Sequence, residues 1–202
     1  MSTTINEMWN FMINTSGPKI FSVNDFISIA DRSSIESNLK LMCDQGKIVK
    51  LIDELYAIPE YSNLLNTTVY PNANHVAKKI AEKYQWKIIP TDDYALNLTG
   101  FSTQVPNILT FASDGPYRKY DYNGIDIIFK NTNIKYLTNL SRNTALMVQV
   151  MKVIGKNNFG QKEIKKLTSF YRTHMSENIL KEIKNIPIWM QEIIKEMLDE
   201  LN

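Results

Sequence analysis

The chain has 202 residues, 44% of them hydrophobic and 22% charged, with a formal net charge of +2. Such a composition excludes a wholly disordered chain, and the length supplies a core for one large or two small domains. A single cysteine, Cys43, excludes an internal disulfide framework and fits a reducing compartment.

MSTTINEMWNFMINTSGPK lacks the basic start and unbroken apolar centre of a signal peptide, and no later run reaches the roughly 18 apolar residues of a membrane helix. A cytoplasmic protein is therefore expected. Charge is uneven along it. Residues 1–60 carry five basic against eight acidic side chains, a net of −3, which leaves +5 for the remainder.

Ile5, Met8, Trp9 and Met12 recur at helical spacing and predict a short amphipathic helix over about residues 4–14, ended by Gly17-Pro18. Ser22 is placed to cap VNDFISIA, whose Val23, Phe26, Ile27 and Ala30 form a second apolar stripe, with Asp25 in the first turn where the helix dipole favours an anion. A third helix follows, with Ser33 or Ser34 as its cap, Ile35, Leu39 and Met42 as its buried face and Gly46 as its stop. The apolar runs 47–52 and 55–58, separated by Asp53-Glu54, predict a hairpin.

Three helices and a two-stranded ribbon within about sixty residues is the element order of a winged helix-turn-helix, in which the third helix enters the major groove. The candidate DNA contacts on that helix are Arg32, Ser33, Ser34, Ser37 and Lys40, joined by Lys47 and Lys50 from the wing, since Arg, Ser and Lys donate to phosphates and base edges. The acidic balance of this region favours the other use of such a unit, an interaction module that does not grip DNA.

Residues 60–75 are polar, with Pro71 and several asparagines, and read as a linker, giving domains over 1–62 and 72–202. Beyond it a helix carries Val76, Ile80 and Ala81 inward. KIIP is a short strand, and Thr91 is placed to cap a helix that Gly100 ends. ILTFAS, YRKYDY and GIDIIFK read as strands, with turns at Asp114-Gly115-Pro116 and Asn123-Gly124. The last third is helical and closes on PIWMQEIIKEMLDEL. The expected fold class is thus α+β: a winged helix-turn-helix followed by a mixed α/β domain with a small sheet and a helical C-terminal third.

Enzyme signatures are mostly missing. His75 and His174 have no metal-ligand spacing around them, Cys43 has no histidine neighbour to activate it, and there is neither a phosphate-binding loop nor a nucleophile elbow. No catalytic residue, metal or cofactor is expected. One constellation stands apart: Asp114, Asp126 and Lys130 on or beside strands could hold a divalent metal for phosphodiester cleavage. Ile128, however, occupies the place two residues before the lysine where that arrangement wants a second carboxylate. Lys162, Lys165, Lys166 and Arg172 on one helix offer a second basic face, for DNA or for solvent.

FSVNDFISIADRSSIESNLKLMCDQGKIVKLIDELYAIP, IIPTDDYALNLTGFSTQVPNILTFASDGP and IPIWMQEIIKEM together resemble the AbiEi-type antitoxin superfamily, in a branch of winged-helix transcriptional regulators. The most specific matches are Gly100, Ser102, Thr103, Gln104, Val105, Pro106, Asp114, Gly115 and Pro116. The resemblance implies the antitoxin of a type IV toxin–antitoxin system, with a role in phage defence. Such a protein represses its own operon through double-stranded DNA and counters a nucleotidyltransferase-like toxin without binding it tightly. Leu41 stands where that family's recognition helix usually has Arg, and Asp53-Glu54 where its wing is usually rich in Arg and Gly.

The uncharged stretch from Gly100 to Pro106 also has a local explanation. Gly100 permits a left-handed helix end, Pro106 blocks pairing at the start of the next strand, and Ser102, Thr103 and Gln104 can bond the backbone of the corner between them. Contact of those three side chains with a partner or a nucleic-acid backbone is the alternative.

Overall fold

In a computed structural model, which describes residues 3–64, 66–134, 137, 139–174 and 178–201, the apolar stripe of the first helix is its buried face. Ile5, Met8 and Met12 of α1 (Thr3–Asn14) sit in one core with Phe21, Phe26, Ile35, Leu39 and Met42. After β1 (Ile20–Ser22) comes a single 3-10 turn, Val23–Phe26, in place of the expected amphipathic helix. Val23 and Phe26 are buried as the stripe requires, but Ile27 is exposed although its backbone is still right-handed helical.

The cap of α2 (Arg32–Asp44) is Asp31, not Ser33 or Ser34. Its carboxylate accepts both the Ser34 backbone N–H at 3.1 Å and the Ser34 hydroxyl at 2.7 Å, so one side chain satisfies two donors where a serine would satisfy one. Ile35, Leu39 and Met42 are buried as expected, and Gly46 turns left-handed (φ 69°) just past the end. β2 (Val49–Ile52) and β3 (Leu55–Ala57) form the expected hairpin, and β1 adds on the far side of β3 to give an antiparallel sheet of order β1-β3-β2.

Residues 60–75 are more ordered than a linker. β4 (Glu60–Ser62) pairs antiparallel with β5 (Thr67–Val69), and Asn72 caps α3 (Ala73–Lys83) by accepting from the His75 backbone N–H at 2.9 Å. All three residues of β5 are exposed, so the ribbon is held by its backbone ladder and leaves no burial pattern in the sequence.

The chain divides into two compact units, Met1–Gln85 with Tyr120–Asn123, and Trp86–Lys119 with Gly124–Asn202. The division falls after α3 and not within 63–71, because α3 packs on β1 and is tied down by polar contacts. Lys79 pairs with Asp25 at 2.7 Å, Lys83 pairs with Glu54, and the Lys83 carbonyl accepts from Asn24 at 3.2 Å.

In the second unit β6 (Ile88–Pro90) runs antiparallel to β7 (Ile108–Ser113), which, after β8 (Arg118–Tyr122), whose last three residues belong to the first unit, runs parallel to β9 (Ile125–Asn131). α4 (Asp92–Leu98) joins β6 to the Gly100–Pro106 stretch. The core lies between the sheet and the C-terminal helices α5 (Arg142–Ile154), α6 (Gln161–Thr173), α7 (Ile179–Glu182) and α8 (Ile188–Asp199). Every residue of α5 from Thr144 to Met151 is buried, which is why TALMVQVM is apolar nearly all round. No described helix is long and apolar enough to cross a membrane.

Candidate nucleic-acid interface

With Ile35, Leu39 and Met42 facing inward, α2 turns Arg32, Ser33, Glu36, Ser37, Lys40 and Leu41 to the surface. Of the expected DNA contacts, Ser33, Ser37 and Lys40 are exposed, and Lys40 makes no ion pair among the described residues. The others are engaged within the unit. Ser34 is spent on the Asp31 cap. Lys50 pairs with Asp53 at 2.8 Å, and Lys47 is half-buried with its ammonium 5.8 Å from the centre of the Trp9 ring.

Arg32 is held twice. Its Nε donates to Glu36 at 2.7 Å and its Nη2 to Glu54 at 2.6 Å, and these two carboxylates raise its already high pKa. Glu54, at the hairpin tip with φ 60°, also binds Lys83 from α3, and that hydrogen bond with its charge holds the Glu54 carboxyl below its ordinary value against the effect of burial. The acidic hairpin tip is therefore a clamp joining α2, the hairpin and α3. Sequence alone reveals its charge but not its partners, which lie 22 and 29 residues away. Cys43 is half-buried, and burial first and then the Asp44 charge push its thiol up, the opposite of what a nucleophile needs.

In the second unit the Gly100–Pro106 stretch forms a corner. Gly100 is left-handed (φ 75°) just after α4, the Ser102 backbone N–H reaches the Leu96 carbonyl at 3.0 Å, and Asn97 donates to the Gln104 carbonyl at 2.8 Å. The Ser102 hydroxyl accepts from the Gln104 N–H at 3.2 Å, while Thr103, Gln104 and Val105 project to solvent and Pro106 is half-buried.

Asp114-Gly115-Pro116 has a packing role. Asp114 accepts from the Lys87 N–H at 2.8 Å, and Gly115 lies under Trp86, so that a Cβ there would sit 2.4 Å from the indole. Pro116 is exposed. On the second basic face, Lys166 bends back to donate to the Phe101 carbonyl at 3.1 Å, whereas Lys162, Lys165 and Arg172 are exposed.

The strand carboxylates are not brought together. Parallel pairing sets Asp126 level with Ile108, while Asp114 lies beyond Ser113, six residues further along β7, or about 20 Å at the rise of a strand. Each has its own partner: Asp126 pairs with Lys119 at 2.8 Å, and Lys130 with Asp92 at 2.6 Å. Among the described residues no group of three or more His, Cys, Asp or Glu side chains is arranged to hold a metal ion.

One polar group escapes sequence reading altogether. Gln149 is 1% exposed, and its side-chain oxygen accepts from the Thr91 hydroxyl at 3.0 Å. Thr91 therefore bonds α5, where the sequence suggested a side-chain cap on α4. The available signal was a lone amide in an otherwise apolar run.

No curated protein matches the chain in sequence. A family model described as a family of unknown function, DUF6088, matches residues 10–179, most of both units, and the chain belongs to that family.

Proposed function

We propose that the first unit is a winged helix-turn-helix and that the protein is a cytoplasmic DNA-binding regulator, repressing its own operon as the antitoxin of a type IV toxin–antitoxin pair. The observation that carries this reading is the surface of α2. Ser33, Ser37 and Lys40 stand free on one face of a helix that follows a short turn and precedes a β2–β3 hairpin. The sheet order β1-β3-β2 and the basic Lys50 on the hairpin support it. The antitoxin part, with a nucleotidyltransferase-like toxin as functional partner, rests on the resemblance of the Gly100–Pro116 region.

A second reading is favoured by the Glu54 clamp. A unit whose only arginine on this face is bound to two carboxylates is suited to docking a protein, with DNA affinity lost.

Fluorescence anisotropy of the full chain with duplex from upstream of its own gene, beside an unrelated duplex and across a salt series, separates the two. Selective binding whose salt slope falls by about one unit in Lys40→Ala supports the regulator. Equal, weak binding to both duplexes favours the interaction module.

A further inference from the structure

A cavity of about 230 Å³ in the second unit is lined by Thr91, Asp92, Lys130, Thr132, Gln149 and Lys152. Three elements meet there: the β6–α4 corner, the end of β9 and the C-terminal half of α5. Lys130 pairs in register with Ala112 near the carboxyl ends of the parallel strands β7 and β9, the side of an open sheet on which crevices hold ligands. We propose that this cavity binds the phosphoryl group of a phosphate monoester, independently of any DNA contact by the first unit.

The buried amide of Gln149 carries the inference. Thr91 satisfies its oxygen, and its nitrogen has no hydrogen-bond partner. A donor buried in this way is costly, and native structures supply it with an acceptor. Lys152, one turn along the same helix, lines the cavity and makes no ion pair among the described residues. Lys130 is balanced by Asp92 at 2.6 Å, so the lining carries one net positive charge.

An acceptor drawn to this set is an anion. Gln149, Lys130 and Lys152 place amide and ammonium groups in the lining, and a phosphoryl group has three terminal oxygens to share among three such donors, where a planar carboxylate offers two. The cavity is smaller than the roughly 300–1,000 Å³ of pockets that enclose whole drug-sized ligands, so it takes the head group and leaves the rest of the ester outside.

Titration calorimetry of the full chain with inorganic phosphate, glycerol 3-phosphate and acetate, at fixed ionic strength, tests the proposal. Saturable binding of glycerol 3-phosphate at least as tight as that of phosphate, with acetate much weaker, is the expected result. Lys152→Ala, at an exposed side chain, should weaken the phosphate ester about tenfold, the order of one charge-assisted hydrogen bond. Gln149→Leu should abolish binding with the circular dichroism unchanged. If that variant does not fold, Lys152→Ala and Lys130→Met decide the matter. No saturable heat, equal affinity for acetate, phosphate bound without its ester, or an affinity unmoved by Lys152→Ala would each overturn the proposal.

Discussion

Nη2 of Arg32 donates to Glu54 at 2.6 Å, so the most strongly basic side chain of α2 is tethered to the tip of the neighbouring hairpin. Removing the Glu54 charge releases one of the two carboxylates on that guanidinium, with Glu36 still bound to Nε, and adds one positive charge to the surface proposed for DNA. Glu54→Gln should therefore tighten binding to the upstream duplex by about tenfold at low salt and steepen the salt slope by about one phosphate contact. Anisotropy across a salt series checks this, and an unchanged slope would place Arg32 away from the nucleic acid.

The same carboxylate makes stability depend on pH. Glu54 lies below its ordinary pKa of 4.5, chiefly through the Lys83 hydrogen bond, with burial opposing and the charges of Lys83 and Arg32 assisting. A carboxyl whose folded pKa is depressed contributes stability that is complete above the unfolded value and is lost as pH falls through the folded one. Urea unfolding from pH 6 downward should show a decline below about pH 5 that Glu54→Gln makes shallower. The Glu54 side chain is 41% exposed, so solvent screening limits its share to about 1 kcal/mol or less. Asp31, depressed by its bonds to Ser34, and Asp53, depressed by Lys50, contribute in the same direction and keep some slope in the variant.

What the sequence discloses about this protein is mostly local. The buried faces of α1 and α2, the β2–β3 hairpin and the strands ILTFAS and GIDIIFK follow from period and punctuation within a dozen residues. The misread features depend on distant partners. α3 belongs to the first unit because Lys79 meets Asp25, 54 positions earlier, and the β4–β5 ribbon leaves no pattern because its strands bury almost nothing. Gln149 reads as one polar residue in an apolar helix until Thr91, 58 positions away, is placed beside it. The α2 residues named for DNA could be located on a face by periodicity. That Arg32, Ser34 and Lys50 already have partners could not.

The Gly100–Pro106 corner separates backbone need from side-chain availability. Gly100 is left-handed at φ 75°, with open space around a Cβ, so Gly100→Ala should cost about 1–2 kcal/mol from conformation alone. Val105 is 83% exposed, and Val105→Ser should change stability by no more than about 0.5 kcal/mol. Thermal unfolding of the two variants checks the contrast. A Val105 variant that is fully stable yet fails to counter a toxin in cells would assign this corner to a partner.

Gly115 and Trp86 are 29 positions apart, and their contact explains the glycine of Asp-Gly-Pro more fully than a turn does. The backbone of Gly115 is not left-handed; its constraint is space, since a Cβ would lie 2.4 Å from Cδ2 and Cε2 of the indole. The ring is also held by Phe129, at 5.5 Å between ring centres in an edge-on arrangement, and Phe129 in turn stacks on Phe111 in the sheet. Gly115→Ala should therefore destabilise the second unit by about 1–3 kcal/mol, the usual cost of overpacking. Trp86→Ala has its own cost through lost burial, but in that background the added methyl meets no ring, and Gly115→Ala should then cost far less. A double-mutant cycle by chemical denaturation reads the coupling directly. Additive costs would mean that Gly115 is needed for its backbone and not for the indole above it.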